Sequence, residues 1–107
     1  MVKRKTCIFI SGQGSNLKNL IRNSRDNNFP IKISLVICDN KKAYGIKYAK
    51  QHKVPYIFVN SKIQNYENKI LFSLRKYNIS FICLAGYMKI ISNNVIKNYH
   101  KKILNVH

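Results

Sequence analysis

Three features of the 107-residue chain predict an α/β domain, a parallel β-sheet with helices on both faces. Short apolar runs alternate with amphipathic stretches from one end to the other, the pattern of strand–helix–strand crossovers. Several runs are apolar at consecutive positions, as strands covered by helices on both sides are. A glycine-bearing turn follows the first run, where such a fold passes from strand to helix.

Five runs read as strands: Cys7–Ile10, Ile33–Cys38, Tyr56–Val59, Phe81–Ala85 and Ile103–Val106. Helical stretches lie between them. Ser15–Asn23 places Leu17, Leu20 and Ile21 on one face, with Ser15 as N-cap. Ala43–Lys53 is a second amphipathic stretch. Ile63–Tyr77 carries Ile63, Tyr66, Ile70, Leu74 and Tyr77 at helical spacing. Ser92–His100 carries Val95, Ile96 and Tyr99, with Ser92 as a cap. The resulting β-α-β-α-β-α-β-α-β order implies right-handed crossovers. Ligands are then expected at the carboxyl ends of the strands, where the strand order switches.

Composition narrows the classes. One domain over residues 1–107 is expected. Hydrophobic residues make up 46%, enough to fold rather than stay disordered. No apolar run approaches the roughly 18 residues of a membrane span, so no membrane partner is expected. The start MVKRKTCIFIS has the basic head of an export signal, but its apolar stretch is short and polar residues follow at once. Cys7, Cys38 and Cys83 each sit inside an apolar run and read as small buried hydrophobes. There is no C-x-x-C pair, so zinc and thioredoxin-like readings are weak, and a reducing cytoplasm fits.

The formal net charge of +17 raises the question of nucleic acid. The lysines are scattered through every segment without a basic block. Lys, Asn and Ile are all abundant and all have AT-rich codons. The basic excess is therefore read as compositional, and no specific nucleic-acid partner is expected. A basic nucleic-acid-binding module stays as an alternative. The positive field would still draw phosphorylated anions toward the protein.

The turn S-G-Q-G-S-N spans Ser11 to Asn16. Gly12 and Gly14 allow a close backbone approach, and the following helix start offers unpaired N–H groups. Gly12, Gln13, Gly14, Ser15 and Asn16 thus form a candidate phosphate site. A plain strand-to-helix turn would look the same. A dinucleotide fingerprint requires a third glycine where Leu17 stands, and no Walker loop is present. Asp39 follows the second strand, where a ribose-binding acid would lie, although C-D-N-K-K reads more simply as a turn.

Two further segments fall on the same edge of the sheet. A-G-Y-M-K-I-I-S, Ala85 to Ser92, follows the fourth strand, and I-L-N-V-H closes the chain. Asn105 and His107 are two apart and share one side of a strand. An amide that stabilises an oxyanion beside an imidazole that moves a proton suits acyl transfer. The same residues would also fit a frayed polar chain end.

In order and spacing, I-S-G-Q-G-S-N-L-K-N-L-I, I-C-D-N-K-K-A-Y-G-I-K-Y-A, F-I-C-L-A-G-Y-M-K-I-I-S and I-L-N-V-H resemble glycinamide ribonucleotide (phosphoribosylglycinamide) formyltransferase. The resemblance covers essentially the whole chain. It implies a Rossmann-like formyltransferase fold that stops after its fifth strand. Gly14, Ser15 and Asn16 match the loop that holds the substrate phosphate. Met88, Lys89, Ile90 and Ile91 match the segment lining the pterin pocket, and Asn105 also falls in the folate site. Asn105 and His107 match two of three catalytic residues. The implied substrates are 10-formyltetrahydrofolate, as co-substrate, and glycinamide ribonucleotide. No metal is implied.

The chain also departs from the family. Lys89 stands where arginine is common, and the position of another folate-binding arginine of some members falls near Ile63, with only Lys62 adjacent. The third catalytic residue, an aspartate, would lie beyond His107. The expectation is therefore an enzyme half that is inactive alone, with an unpaired sheet edge through which it can self-associate. The alternatives are a non-catalytic remnant that binds a phosphorylated ligand, or another folate-dependent formyltransferase or formyl-folate hydrolase.

Overall fold

The computed structural model describes residues 3–11, 15–26, 28–40, 45–60, 62–85, 93–99 and 102–106. Five strands and four helices alternate among them: β1 (Arg4–Ile10), α1 (Ser15–Ser24), β2 (Ile31–Cys38), α2 (Gly45–Gln51), β3 (Tyr56–Phe58), α3 (Tyr66–Lys76), β4 (Phe81–Ala85), α4 (Asn93–Asn98) and β5 (Ile103–Val106). All strand pairings are parallel, in the order β3-β2-β1-β4-β5. The chain builds outward from β1 to β3, returns to the other side of β1 for β4, and then adds β5. The reversal lies between β1 and β4.

The central strands are buried on both faces, as their continuous apolar runs require. Cys7, Ile8, Phe9 and Ile10 are all fully buried. Ile8 and Ile10 join Val36, Cys38 and Cys83 beneath Leu17, Ile21 and Ala49 of α1 and α2. Cys7 and Phe9 join Leu35, Ile37 and Ile82 beneath Ile70, Leu74 and Val95 of α3 and α4. Two half-cores thus share one sheet, and the period-two alternation of β1 divides them.

Strict alternation would place Ile33 and Leu35 of β2 on the same face. They lie on opposite faces, Ile33 with α1 and α2, Leu35 with α3 and α4. A bulge explains this. Thr6 pairs with Ile33 and Cys7 with Leu35, so Ser34 is skipped and the parity of the strand changes there.

β1 and β2 begin earlier than the apolar runs do, because their first turns of pleat include exposed Arg4, Lys5 and Lys32 that pair like the rest. α3 begins at Tyr66, not at Ile63. Ile63 is 60% exposed and belongs to a turn closed by Asn60 and Ile63 carbonyls, with Asn65 left-handed at φ 66°. It is not part of the buried stripe. α2 and α3 end in matching Schellman turns. Val54 N–H bonds to Ala49 O and Lys53 N–H to Lys50 O, while Ile79 N–H bonds to Leu74 O and Asn78 N–H to Arg75 O. Tyr99 ties α4 to the chain before β4 by donating its hydroxyl to Ile79 O at 2.9 Å.

Candidate active site

β1 delivers its last buried residue, Ile10, and then Ser11 to the carboxyl edge of the sheet. α1 begins at Ser15 and is anchored at once by fully buried Leu17. Ser15 is therefore the first residue of the helix rather than the cap ahead of it. Four residues, Ser11 to Gly14, join strand to helix, and Gly12, Gln13 and Gly14 among them lie outside the described residues. A helix start is a setting in which backbone N–H groups gather at an anion. The backbone of Ser15 and Asn16 forms the first turn of α1.

β4 ends beside β1, and β5 ends beside β4. Phe9 pairs with Leu84, and Leu84 pairs with Asn105, so these three residues stand in register across three neighbouring strands. Adjacent strands are about 4.8 Å apart, which puts the backbone of Asn105 roughly 10 Å from that of β1. Asn105 is one residue short of the end of β5. Met88, Lys89, Ile90, Ile91 and His107 lie outside the described residues. In the chain they follow the ends of β4 and β5, on the edge of the sheet where β1 also ends. The strand order reverses between β1 and β4 at this edge, the place where open α/β sheets hold their ligands.

β2 contributes to the same edge. Cys38, its last residue, pairs with Ile10. Asp39 follows, and its Oδ1 is buried without a hydrogen-bond partner among the described residues. A buried, unpaired acceptor costs about 1–3 kcal/mol. The sequence had offered Asp39 mainly as a turn residue, and burial of one oxygen is a property that only packing reveals. The Cys38 thiol donates to Asn40 O at 2.9 Å and accepts from Asn40 N–H at 3.4 Å. Burial pushes its pKa up, the Asn40 backbone contact lowers it, and the neighbouring Asp39 charge raises it. Burial raises Cys7 well above the ordinary thiol range and raises Cys83 as well. The thiols stay protonated near neutral pH, so the cysteines are packing groups and not nucleophiles. Among the described residues no three His, Cys, Asp or Glu side chains gather as a metal site.

A parallel sheet with this reversal, a four-residue link into α1 and the ends of β4 and β5 beside it is an architecture shared with solved formyltransferases. The chain belongs to the formyl transferase family, whose sequence pattern it matches over residues 4–107. Within that family it is similar to phosphoribosylglycinamide formyltransferases. It is 35% identical to the Haemophilus influenzae enzyme, over 97% of this chain and 51% of that protein. It is 32% identical to the Bacillus subtilis enzyme, over 97% of this chain and 55% of that protein. The crystal structure of the Brucella melitensis phosphoribosylglycinamide formyltransferase superimposes with a TM-score of 0.93 at 34% identity, over 99% of this chain and 57% of that one. The chain thus spans about half the length of these relatives and corresponds to their N-terminal part.

Proposed function

We propose that these residues form the ribonucleotide-binding half of a phosphoribosylglycinamide formyltransferase of de novo purine synthesis. The observation that carries this reading is the adjacency of the β1, β4 and β5 ends at the reversal of strand order. Gly12–Asn16 hold the phosphate of glycinamide ribonucleotide. Met88–Ile91 line the pterin pocket of 10-formyltetrahydrofolate. Asn105 and His107 act where the two substrates meet. A separation of roughly 10 Å between the β1 and β5 ends suits a substrate with its phosphate at one end and its amine at the other.

The amine nitrogen attacks the formyl carbon, and the carbonyl oxygen takes up negative charge. The Asn105 amide donates a hydrogen bond to that oxygen. His107 takes a proton from the attacking nitrogen and returns it to the departing folate nitrogen. The new C–N bond forms as the old one breaks, so no redox partner is needed. On this reading an orienting aspartate would lie outside these residues. Neutralising the equivalent carboxylate in a serine-protease triad costs on the order of 10⁴ in rate. The 107-residue chain alone is therefore expected to bind ribonucleotide and not to turn over.

The β5 edge supports this reading. β5 pairs only with β4 among the described residues, and Leu104 on it is 52% exposed. An apolar residue on an open edge strand invites pairing with another strand, including one from a second copy. The reading places the protein in the reducing cytoplasm.

The test is calorimetry with glycinamide ribonucleotide, followed by a formyl-transfer assay with and without the remainder of the fold supplied in trans. Binding without turnover alone, and turnover on addition of that remainder, is the expected result. Undiminished ribonucleotide affinity in Gly14→Val would overturn the phosphate assignment.

A further inference from the structure

The amino edge of the sheet, opposite the candidate active site, holds a cavity of about 810 Å³. Six cationic side chains line it: Lys3, Lys5, Arg25, Lys32, Lys53 and Lys76. His52 joins them. The chain has only three carboxylates, Asp26, Asp39 and Glu67, and none lines this cavity. Its floor is apolar, with Ile21, Ile33 and Val54 buried beneath it.

The plain structural explanation is that α1, α2 and α3 all end here, and cations suit helix carboxyl ends. Each helix end carries about −0.5 of a charge, so the helices together offset about one and a half of the six. A large positive excess remains inside a concave, partly apolar wall, which concentrates its field.

Two local features are not explained by helix ends. The first is the bulge at Ser34, which takes that residue out of the β1 pairing and leaves it lining the cavity. Bulges re-aim side chains and collect near binding sites. The second is Lys53. It occupies the left-handed position of the Schellman turn that closes α2, with φ 57°. A residue with a Cβ is strained there, and glycine or asparagine is preferred. At the matching position after α3 the chain uses Asn78, with φ 54°. Lysine at the strained position sets its ammonium stem at the cavity wall, where asparagine would satisfy the turn better. Lys3 and Arg25 are meanwhile held in place. Lys3 donates to Ser24 O and Asp26 O, and Arg25 donates to His52 O at 2.9 Å.

We propose that this amino-edge cavity is a second anion site, for a compact polyphosphate such as tripolyphosphate or the phosphate chain of a nucleoside triphosphate. The volume is that of a small-molecule pocket and not of an extended nucleic-acid groove. The cations surround it from several elements, which suits several phosphates better than one. The site is separate from the ribonucleotide loop and does not depend on the function proposed above.

The experiment is titration calorimetry of the 107-residue chain with inorganic tripolyphosphate at near-physiological salt, alongside a nucleoside triphosphate, a nucleoside monophosphate and single-stranded RNA. One site per chain is expected, with tripolyphosphate held at least tenfold tighter than the monophosphate. Tighter binding of the nucleoside triphosphate would add a role for the apolar floor, and equal binding would assign recognition to the phosphates alone. Lys53→Asn should raise the Tm while weakening tripolyphosphate binding severalfold, and Lys32→Gln should weaken it similarly. Lys47→Gln and Lys97→Gln remove equal charge outside the cavity and should change little. Equal losses from all four variants, several weak sites per chain, RNA that tripolyphosphate cannot displace, or no tripolyphosphate binding would each overturn the proposal.

Discussion

The two ends of the sheet are built from the same strands and carry opposite kinds of information. At the carboxyl edge β1 gives way to α1 after four residues, and β4 and β5 end beside it. Its signals are two glycines in one short motif and an amide and an imidazole in another. At the amino edge the helices end, and the signals are six charges from five separate stretches of chain. The first end is written in local words. The second exists only after folding. Motif reading therefore finds the first and passes over the second.

The largest expected effect tests the chemistry of the carboxyl edge. In formyl transfer by these residues together with the remainder of the fold, His107→Ala should lower kcat by about 10²–10⁴. Tripolyphosphate affinity at the amino edge should not change. A parallel loss at both ends would mean that the variant acts through folding.

Phe9→Ala should weaken the two ends together. Phe9 is fully buried in the α3/α4 half-core, and such a truncation costs about 3–5 kcal/mol. Denaturant unfolding would show it. A loss below about 1 kcal/mol would mean that the β1 core is less tightly packed than its burial indicates.

Gly14→Val separates the ends in the other direction. Ribonucleotide affinity should fall by at least about 1.4 kcal/mol, tenfold, because a β-branched residue blocks close backbone approach. Polyphosphate binding at the amino edge should persist. Loss of both would merge the two sites into one.

Alkaline stability provides a smaller contrast. The Cys38 thiol at the carboxyl edge, with Cys7 and Cys83, holds its proton to higher pH in the fold than in the unfolded chain. Stability is fully present below the unfolded thiol pKa. Above about pH 9 the unfolded chain releases protons that the fold retains, and stability falls by at most about 1.4 kcal/mol per pH unit per thiol. Cys38→Ala should make the decline shallower in pH-dependent denaturation. An unchanged slope would remove Cys38 from this account.

The smallest effect is Lys53→Asn, which should stabilise the fold by about 0.5–1 kcal/mol by relieving a strained left-handed residue. Destabilisation instead would show that the Lys53 side chain supports the turn.

Much of the fold is legible without coordinates. The runs at Cys7–Ile10 and Phe81–Ala85 fall within the strands, and Tyr66, Ile70, Leu74 and Tyr77 pack against one half-core as their spacing requires. Errors come where local signals are ambiguous. Ile63 has the right spacing for the α3 stripe, but left-handed Asn65 separates it from the helix. The exposed starts of β1 and β2 carry charges, so hydrophobicity misses them. Of the candidate site, Asn105 is placed in β5 in register with Leu84, and the backbone of Ser15 and Asn16 opens α1. The bearing of Asp39 was not legible, because burial of a single carboxylate oxygen depends on neighbours distant in sequence.

The sequence by itself determined the alternation of strands and helices, the parallel sheet and the glycine link into α1. These follow from periodicity, turn chemistry and helix starts, which act over a few residues. Only the tertiary structure decided the rest. The order β3-β2-β1-β4-β5 sets which loops become neighbours, and it follows from how two half-cores close over one sheet. The bulge at Ser34 arises because Ile33 and Leu35 must enter different half-cores. The lysines look scattered along the chain, yet six cations meet at one cavity because the starts of β1 and β2 and the ends of three helices share one edge of the sheet. Contacts of this kind are non-local, so no window of sequence contains them.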